Sequence, residues 1–340
     1  MVRNLKEYFR LGRVFNAEIL ALILVLSYLL SAYLYNIIID LKIVFLLFLG
    51  GMFAHIWGGY NNDRLDLSID KQAYYCKHKP LVSGSIKLQT AKIIEICAAL
   101  IFIICILYAS LLSTTQVSNK IFSYRFFSTI LYLFCALALA YLYNKYNKSN
   151  MFINVFGQFY ASFAVLLGMS IIVDYDIILV LTAVVIGLNG VYLNIIEADL
   201  KDVEGDIINV PKALGVIFKM GKVEHIGKFY LVNESIKVTM FILIISILIL
   251  QEVPLLYFLI ACSYFLLNCI IRVSMFIHLS TNREKMKHYI AAQELSSILL
   301  IGTIFMILHP FTPLFLVLFI SLWLISWNKA LWNTYVRPQV

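Results

Sequence analysis

The chain has 340 residues, 62% hydrophobic and 14% charged, with a mean hydropathy of +0.88 and 27 Lys and Arg against 19 Asp and Glu. Soluble domains run at roughly 45–50% apolar and about 25% charged, so a soluble globular protein is excluded. No low-complexity tract, glycine period or sustained heptad is present, which excludes disorder, collagen and coiled coil and leaves a polytopic membrane protein.

A hydrocarbon core of about 30 Å takes roughly 20 apolar residues as helix. In chain order the stretches that meet this length are 17–35, 41–60, 90–112, 124–143, 151–173, 177–197, 230–250, 254–278, 290–308 and 311–327. They predict an all-α transmembrane bundle of about nine or ten helices, the last two separated only by His309-Pro310. The first stretch is long and lacks a small-residue cleavage site, so it reads as a retained helix. With the amino terminus inside, the inner segments 1–16, 61–89, 144–150, 198–229, 279–289 and 329–340 carry 21 of the 27 basic residues. By the positive-inside rule these segments are cytoplasmic, and most of the net charge of +8 marks topology and not nucleic-acid binding. The six cysteines have no CxxC or Cys/His metal spacing and read as small packing residues.

Two inner segments, 61–89 and 198–229, are long and acidic as well as basic. The first begins Asn62-Asp63-Arg64-Leu65-Asp66-Leu67-Ser68-Ile69-Asp70. If the helix continues, Asn62, Asp66 and Asp70 share one face at i, i+4 and i+8. The second holds Asp199, Asp202 and Asp206 at i, i+3 and i+7. Like charges at this spacing repel, so a cation belongs between them. Carboxylate oxygens at a membrane surface suit Mg²⁺, a hard cation usually held by one or two carboxylates, water and substrate phosphates. Each segment continues into a Pro-x-x-x-Gly stretch, Pro80 to Gly84 and Pro211 to Gly215, which suggests an internal four-helix pseudo-repeat.

The NDxxDxxxD run, the Lys79-Pro80-Leu81-Val82-Ser83-Gly84 that follows it, and the DxxDxEGD run after the sixth helix resemble the UbiA superfamily of intramembrane prenyltransferases. Tyr141-Leu142-Tyr143-Asn144-Lys145 matches that family's YxxxK. The resemblance spans about residues 10–280 of a single integral-membrane domain covering 1–340, with the carboxy-terminal helices at 290–330 beyond it. It departs from the family in having Lys79 where Arg is usual, and in ten stretches where nine helices are usual.

The resemblance implies an isoprenoid diphosphate as substrate, a prenyl acceptor, and Mg²⁺. Asp66, Asp70, Asp202 and Asp206 would hold the metal, with Asn62, Asp63 and Asp199 as further ligands or supports. Lys145, Tyr141 and Lys79 are the implied catalytic groups. Lys77, Lys212 and Arg13, together with Asn62, Lys79 and Lys145, would bind the diphosphate, and Lys148 is a weaker candidate. A carboxylate-lined site can hold a polyanion only through metal ions that invert the local charge. Metal and cations then stabilise the departing diphosphate so that the allylic C–O bond ionises. Deeper ionisable groups, namely His55, Glu95, Glu234, Lys237 and Arg272, are functional hints in a bilayer, although Glu234 with Lys237 and Lys92 with Glu95 have the spacing of simple pairs. A terpene cyclase on the same scaffold would carry the same acids, while a secondary transporter would place its acids nearer the midplane. The DGxxAR lead-in of phosphatidyl-alcohol phosphotransferases is absent. The acceptor is not encoded in any motif.

Overall fold

A computed structural model describes residues 2–72, 76–116, 122–194, 210–219, 222–278 and 283–335. The elements run α1 (Val2–Leu11), a 3-10 turn (Val14–Asn16), α2 (Ala17–Leu34), α3 (Leu41–Leu65), α4 (Leu67–Asp70), α5 (Leu88–Gln116) and α6 (Phe122–Tyr146). Then follow α7 (Met151–Gly157), α8 (Tyr160–Ser170), α9 (Ile177–Asn194), α10 (Val210–Ala213), the antiparallel pair β1 (Ile217–Lys219) and β2 (Lys222–His225), α11 (Phe229–Leu250), α12 (Leu255–Ile277), α13 (Arg283–Gly302) and α14 (Thr312–Trp332). Within the described residues every apolar stretch falls mainly on helix. Among the described residues nine helices are long and apolar enough to cross a membrane, and Ile177–Leu193 is a shorter tenth.

The fifth stretch is not one helix, as its unbroken hydropathy suggests, but α7 and α8 joined at Gln158 and Phe159. Backbone bonds from Gln158 N to Val155 O and from Phe159 N to Phe156 O tighten the chain to three-residue turns there. The hairpin β1–β2 is a local addition to the all-α bundle.

The polar segments gather at two opposite ends of the bundle, called inner and outer after the charge reading. At the inner end Arg13 meets Asp63, Lys148 meets Asp66, and Phe9 packs edge-on against Trp327. At the outer end Tyr35 Oη donates to Asp176 Oδ2 at 3.1 Å, Arg125 Nη1 to Ile172 O at 2.9 Å, and Gln251 Nε2 to Ile304 O at 3.1 Å. Within the bundle α3 lies along α2 and α5, α9 lies along α8 and α11, and α2 packs on α8. The first and fifth spans thus face each other, each followed by a span packed between its two sequence neighbours. The Pro-x-x-x-Gly stretches agree with this repeat, because both end in a glycine of positive φ, 75° at Gly84 and 91° at Gly215. Ile86 N reaches back to Pro80 O, and Val216 N to Pro211 O, closing a similar turn in each copy. α14 closes the bundle against α2, with Trp323 Nε1 donating to Val14 O at 3.1 Å.

Candidate active site

Helix α3 ends where its polar residues begin. The chain bends at Asp66 but the hydrogen-bond ladder persists, with Asp66 N bonded to Asn62 O and Asp70 N to Asp66 O. Asn62, Asp66 and Asp70 therefore keep the shared face that an unbroken helix would give them. Asp63, Asp66 and Asp70 are all buried. Buried carboxylates require cations or donors, and each has them.

Lys79 Nζ lies 2.7 Å from Asp70 Oδ2 and 4.0 Å from Asp63 Oδ1. Lys148 Nζ lies 2.9 Å from Asp66 Oδ2 and 3.9 Å from Asp70 Oδ1. Arg13 Nη2 donates to Asp63 Oδ1 at 2.9 Å. The Asn62 amide stands 3.4 Å from both Asp63 and Asp66. The Cys76 thiol sits 3.5 Å from Asp70 Oδ1, and burial pushes it up to about 11, so it remains protonated at neutral pH. Burial also pushes the Asp66 carboxyl above the usual carboxylate range, against the opposing pull of Lys148 and Lys79.

Three local features aim these groups. Gly59 brings the α1–α2 link onto α3: a Cβ there would lie 2.9 Å from Leu11 O and 3.2 Å from Arg13 Cγ. Arg13 itself adopts a left-handed backbone, φ 49° and ψ 38°, which turns its side chain toward Asp63. A polar network then fixes α6 against α3 and α5. Asn144 Nδ2 donates to Asn61 Oδ1 at 3.0 Å, Asn61 Nδ2 to Glu95 Oε1 at 2.8 Å, and Arg64 grips both Glu95 oxygens at 2.6 and 2.9 Å. Lys148, four residues beyond Asn144, is held over the acids by this arrangement.

The cations that gather at the acids differ in part from those implied by the resemblance. Lys145 is exposed, its Nζ 5.8 Å from the Tyr141 ring centroid and 5.0 Å from that of Tyr146. The contact with Asp66 belongs instead to Lys148, three residues further on and past the end of α6. Tyr141 is exposed beside Lys145, Lys77 is exposed in the turn after α4, and Lys212 is exposed on α10. Arg10 faces away from the acids, bonded to Glu7 and Leu331 O. Glu95 pairs with Arg64 and not Lys92, and Glu234 pairs with Arg272 and not Lys237. Asp199, Asp202 and Asp206 lie outside the described residues. Among the described residues no three His, Cys, Asp or Glu side chains converge as a complete metal site.

The sequence profile of the UbiA prenyltransferase family matches residues 20–298. The chain belongs to the UbiA prenyltransferase family. It is accordingly a prenyltransferase and an integral, multi-pass membrane protein. No curated protein matches it in sequence. Among solved structures this UbiA-family chain is similar to a digeranylgeranylglyceryl phosphate synthase, with 20% identity, a TM-score of 0.61, and coverage of 89% of this chain and 98% of the other. It is similar also to a UbiA homologue from Archaeoglobus fulgidus bound to GPP and Mg²⁺ (17%, TM-score 0.59, 88% and 98%). A third is a UbiA homologue from Aeropyrum pernix K1 in its apo form (16%, TM-score 0.59, 85% and 98%). At these identities the likeness establishes the fold. The family match ends within α13, so α14 lies beyond it.

Proposed function

We propose that this protein transfers the prenyl group of an isoprenoid diphosphate to an acceptor within the membrane, in a Mg²⁺-dependent reaction at its cytoplasmic face. The observation that carries the reading is the buried set Asp63, Asp66 and Asp70 at the end of α3, ringed by Arg13, Lys79 and Lys148. Such a site combines acids for a hard cation with lysines for a polyanion. The Archaeoglobus fulgidus homologue, seen with GPP and Mg²⁺ and with DMAPP and Mg²⁺, supports the same substrate class.

The donor set fits Mg²⁺. Asp66 and Asp70 offer hard carboxylate oxygens already facing cationic groups, with Asp202 and Asp206 of the second motif as the proposed opposing ligands. When bound, the metal supplies Lewis-acid stabilisation of the charge that develops on the departing diphosphate. Lys79 and Lys148 exchange carboxylate oxygens for phosphate oxygens and donate to them, and the Asn62 amide orients the same group. Asp63 anchors Arg13 and helps to hold Lys79 in place. The C1–O bond breaks with its electron pair leaving on the diphosphate, an acceptor atom forms the new bond to C1, and the acceptor's proton is released. The apolar bundle shelters the allylic cation from water.

Purified protein incubated with Mg²⁺ and radiolabelled geranyl, farnesyl, geranylgeranyl or longer diphosphates, with and without phenolic, quinonoid and lipid acceptors, tests the reading. Acceptor-dependent prenylated product is expected. A cyclic product formed without acceptor, or diphosphate left intact by folded protein across the panel, would overturn it.

A further inference from the structure

A second polar cluster lies inside the bundle where α9, α11, α12 and α13 meet, and it shares no residue with the acids of α3. Lys237 is fully buried and Arg272 is 2% exposed. Lys237 Nζ donates to Ser297 Oγ at 2.9 Å and stands 3.6 Å from the centroid of the Tyr192 ring. Arg272 donates to Glu234 Oε2 at 2.5 Å and to Asn268 Oδ1 at 3.2 Å, while Asn268 donates to Ser296 at 2.8 Å and Ser297 at 3.2 Å. Two basic side chains thus face one carboxylate. Among the described residues no carboxylate lies within ion-pair reach of Lys237, and Ser297 takes only one of its three N–H groups.

The cluster extends one turn toward the inner surface. Helices α11 and α13 both run from the inner to the outer end, so Asn233 and Gln293, each four residues before Lys237 and Ser297, stand at matching height. Both are buried, and none of their four amide atoms has a hydrogen-bond partner among the described residues. Arg272 Nε and Glu234 Oε1 are likewise unpartnered. Buried polar atoms are nearly always satisfied, most of all within a bilayer, so a missing partner is implied. Donors outnumber acceptors in the unmet demand: two N–H groups of Lys237, two amide NH₂ groups and Arg272 Nε, against the two amide oxygens and Glu234 Oε1. Water would serve the amides, whereas an anion accepts from every one of these donors and holds Lys237 in its ammonium form.

We propose that this cluster is a binding site for the phosphate or carboxylate head group of a membrane amphiphile, entered past Glu234, whose side chain remains 23% exposed. An anion there accepts from Lys237 and from the Asn233 and Gln293 amides, with its alkyl chain in the lipid. The site is independent of the prenyl-transfer reading and needs no Mg²⁺.

The test is thermal unfolding of the full-length protein in neutral detergent with EDTA, titrated with hexadecyl phosphate, palmitate, hexadecanol or inorganic phosphate. Hexadecyl phosphate or palmitate should raise the Tm and hexadecanol should not. An equal effect of inorganic phosphate would support the site with a free anion as its source. Lys237→Met keeps an unbranched side chain one atom shorter and removes the amine without leaving an unpaired ion. It should weaken half-saturation by about tenfold or more, the loss of one charge-assisted hydrogen bond. Gln293→Leu should weaken it less, and Asp66→Asn should leave it unchanged. No anion-specific shift in the wild type, or an undiminished shift in Lys237→Met, would overturn the proposal. Should Lys237→Met fail to fold, an undiminished shift in Gln293→Leu together with no hexadecyl phosphate retained by wild type in native mass spectrometry would do so.

Discussion

Lys148 reaches Asp66 at 2.9 Å, whereas Lys145, the lysine of the Tyr-x-x-x-Lys motif, is exposed against the rings of Tyr141 and Tyr146. In the proposed reaction Lys148 is therefore the lysine placed to pass from a carboxylate to the departing diphosphate. Removing one preorganised donor to developing charge typically costs about 10²–10³-fold in rate. Lys148→Met should lower kcat by about that factor, and Lys145→Met should stay within about threefold. Turnover of radiolabelled prenyl diphosphate by the two purified variants checks this, and the reverse order would move the role back to Lys145.

Asp66 and Asp70 sit at the centre of the lysine contacts, so their charge is the quantity to remove. Asp66→Asn keeps the shape but loses the anionic ligand and leaves Lys148 without its closest partner. The expected result is a loss of turnover by orders of magnitude with near-normal expression, and Asp202→Asn should behave the same way if both motifs share the metal. Full activity in either variant would refute the two-motif arrangement. Lys79→Arg, which keeps a cation beside Asp70, is expected to remain active in the same assay.

The ten helices are legible because a bilayer demands about 20 apolar residues for each crossing, and the basic residues mark one end of them. The acid spacing is legible too, since the i, i+4 ladder from Asn62 through Asp66 to Asp70 is a property of the helix alone. Partner choice across helices is not. Glu95 could equally have paired with Lys92 on its own helix, and only the packing of α3 against α5 brings Arg64 to it. The left-handed backbone at Arg13 has no sequence signal of its own, because arginine carries no preference for that region. The break between α7 and α8 is hidden likewise, as hydropathy continues across it.

If Asp66 holds the metal as proposed, metal binding depends on pH. Burial disfavours its charged form, which raises its pKa in the folded protein. The contribution of this group to metal-free stability is full below the unfolded-state value and is lost as the pH rises through the raised folded-state value. A divalent cation binds the ionised carboxylate and must displace any proton present. The Tm gain from Mg²⁺ should thus grow as the pH rises from the acid side toward neutrality. Differential scanning fluorimetry with and without Mg²⁺ across that range measures it, and a gain that shrinks with rising pH would contradict the assignment. Asp66→Asn should flatten the dependence.

Gly59 is the residue on which the placement of Arg13 depends. With a Cβ 2.9 Å from Leu11 O and 3.2 Å from Arg13 Cγ, any larger side chain pushes the α1–α2 link off α3, and backbone cannot yield as a flexible side chain would. The left-handed conformation of Arg13 costs about 1–2 kcal/mol and is held by this packing, by the bond to Asp63 and by the turn bonds from Arg13 N to Arg10 O and from Asn16 N to Arg13 O. Gly59→Val should therefore release Arg13 and loosen Asp63 and Lys79 together, raising KM for the prenyl diphosphate more than it lowers kcat. Arg13→Gln, which leaves the link in place, should reproduce the KM effect without the accompanying fall in Tm. Steady-state kinetics and thermal unfolding of the two variants separate these effects. Unchanged KM in both would show that Arg13 serves only to anchor the membrane-proximal chain.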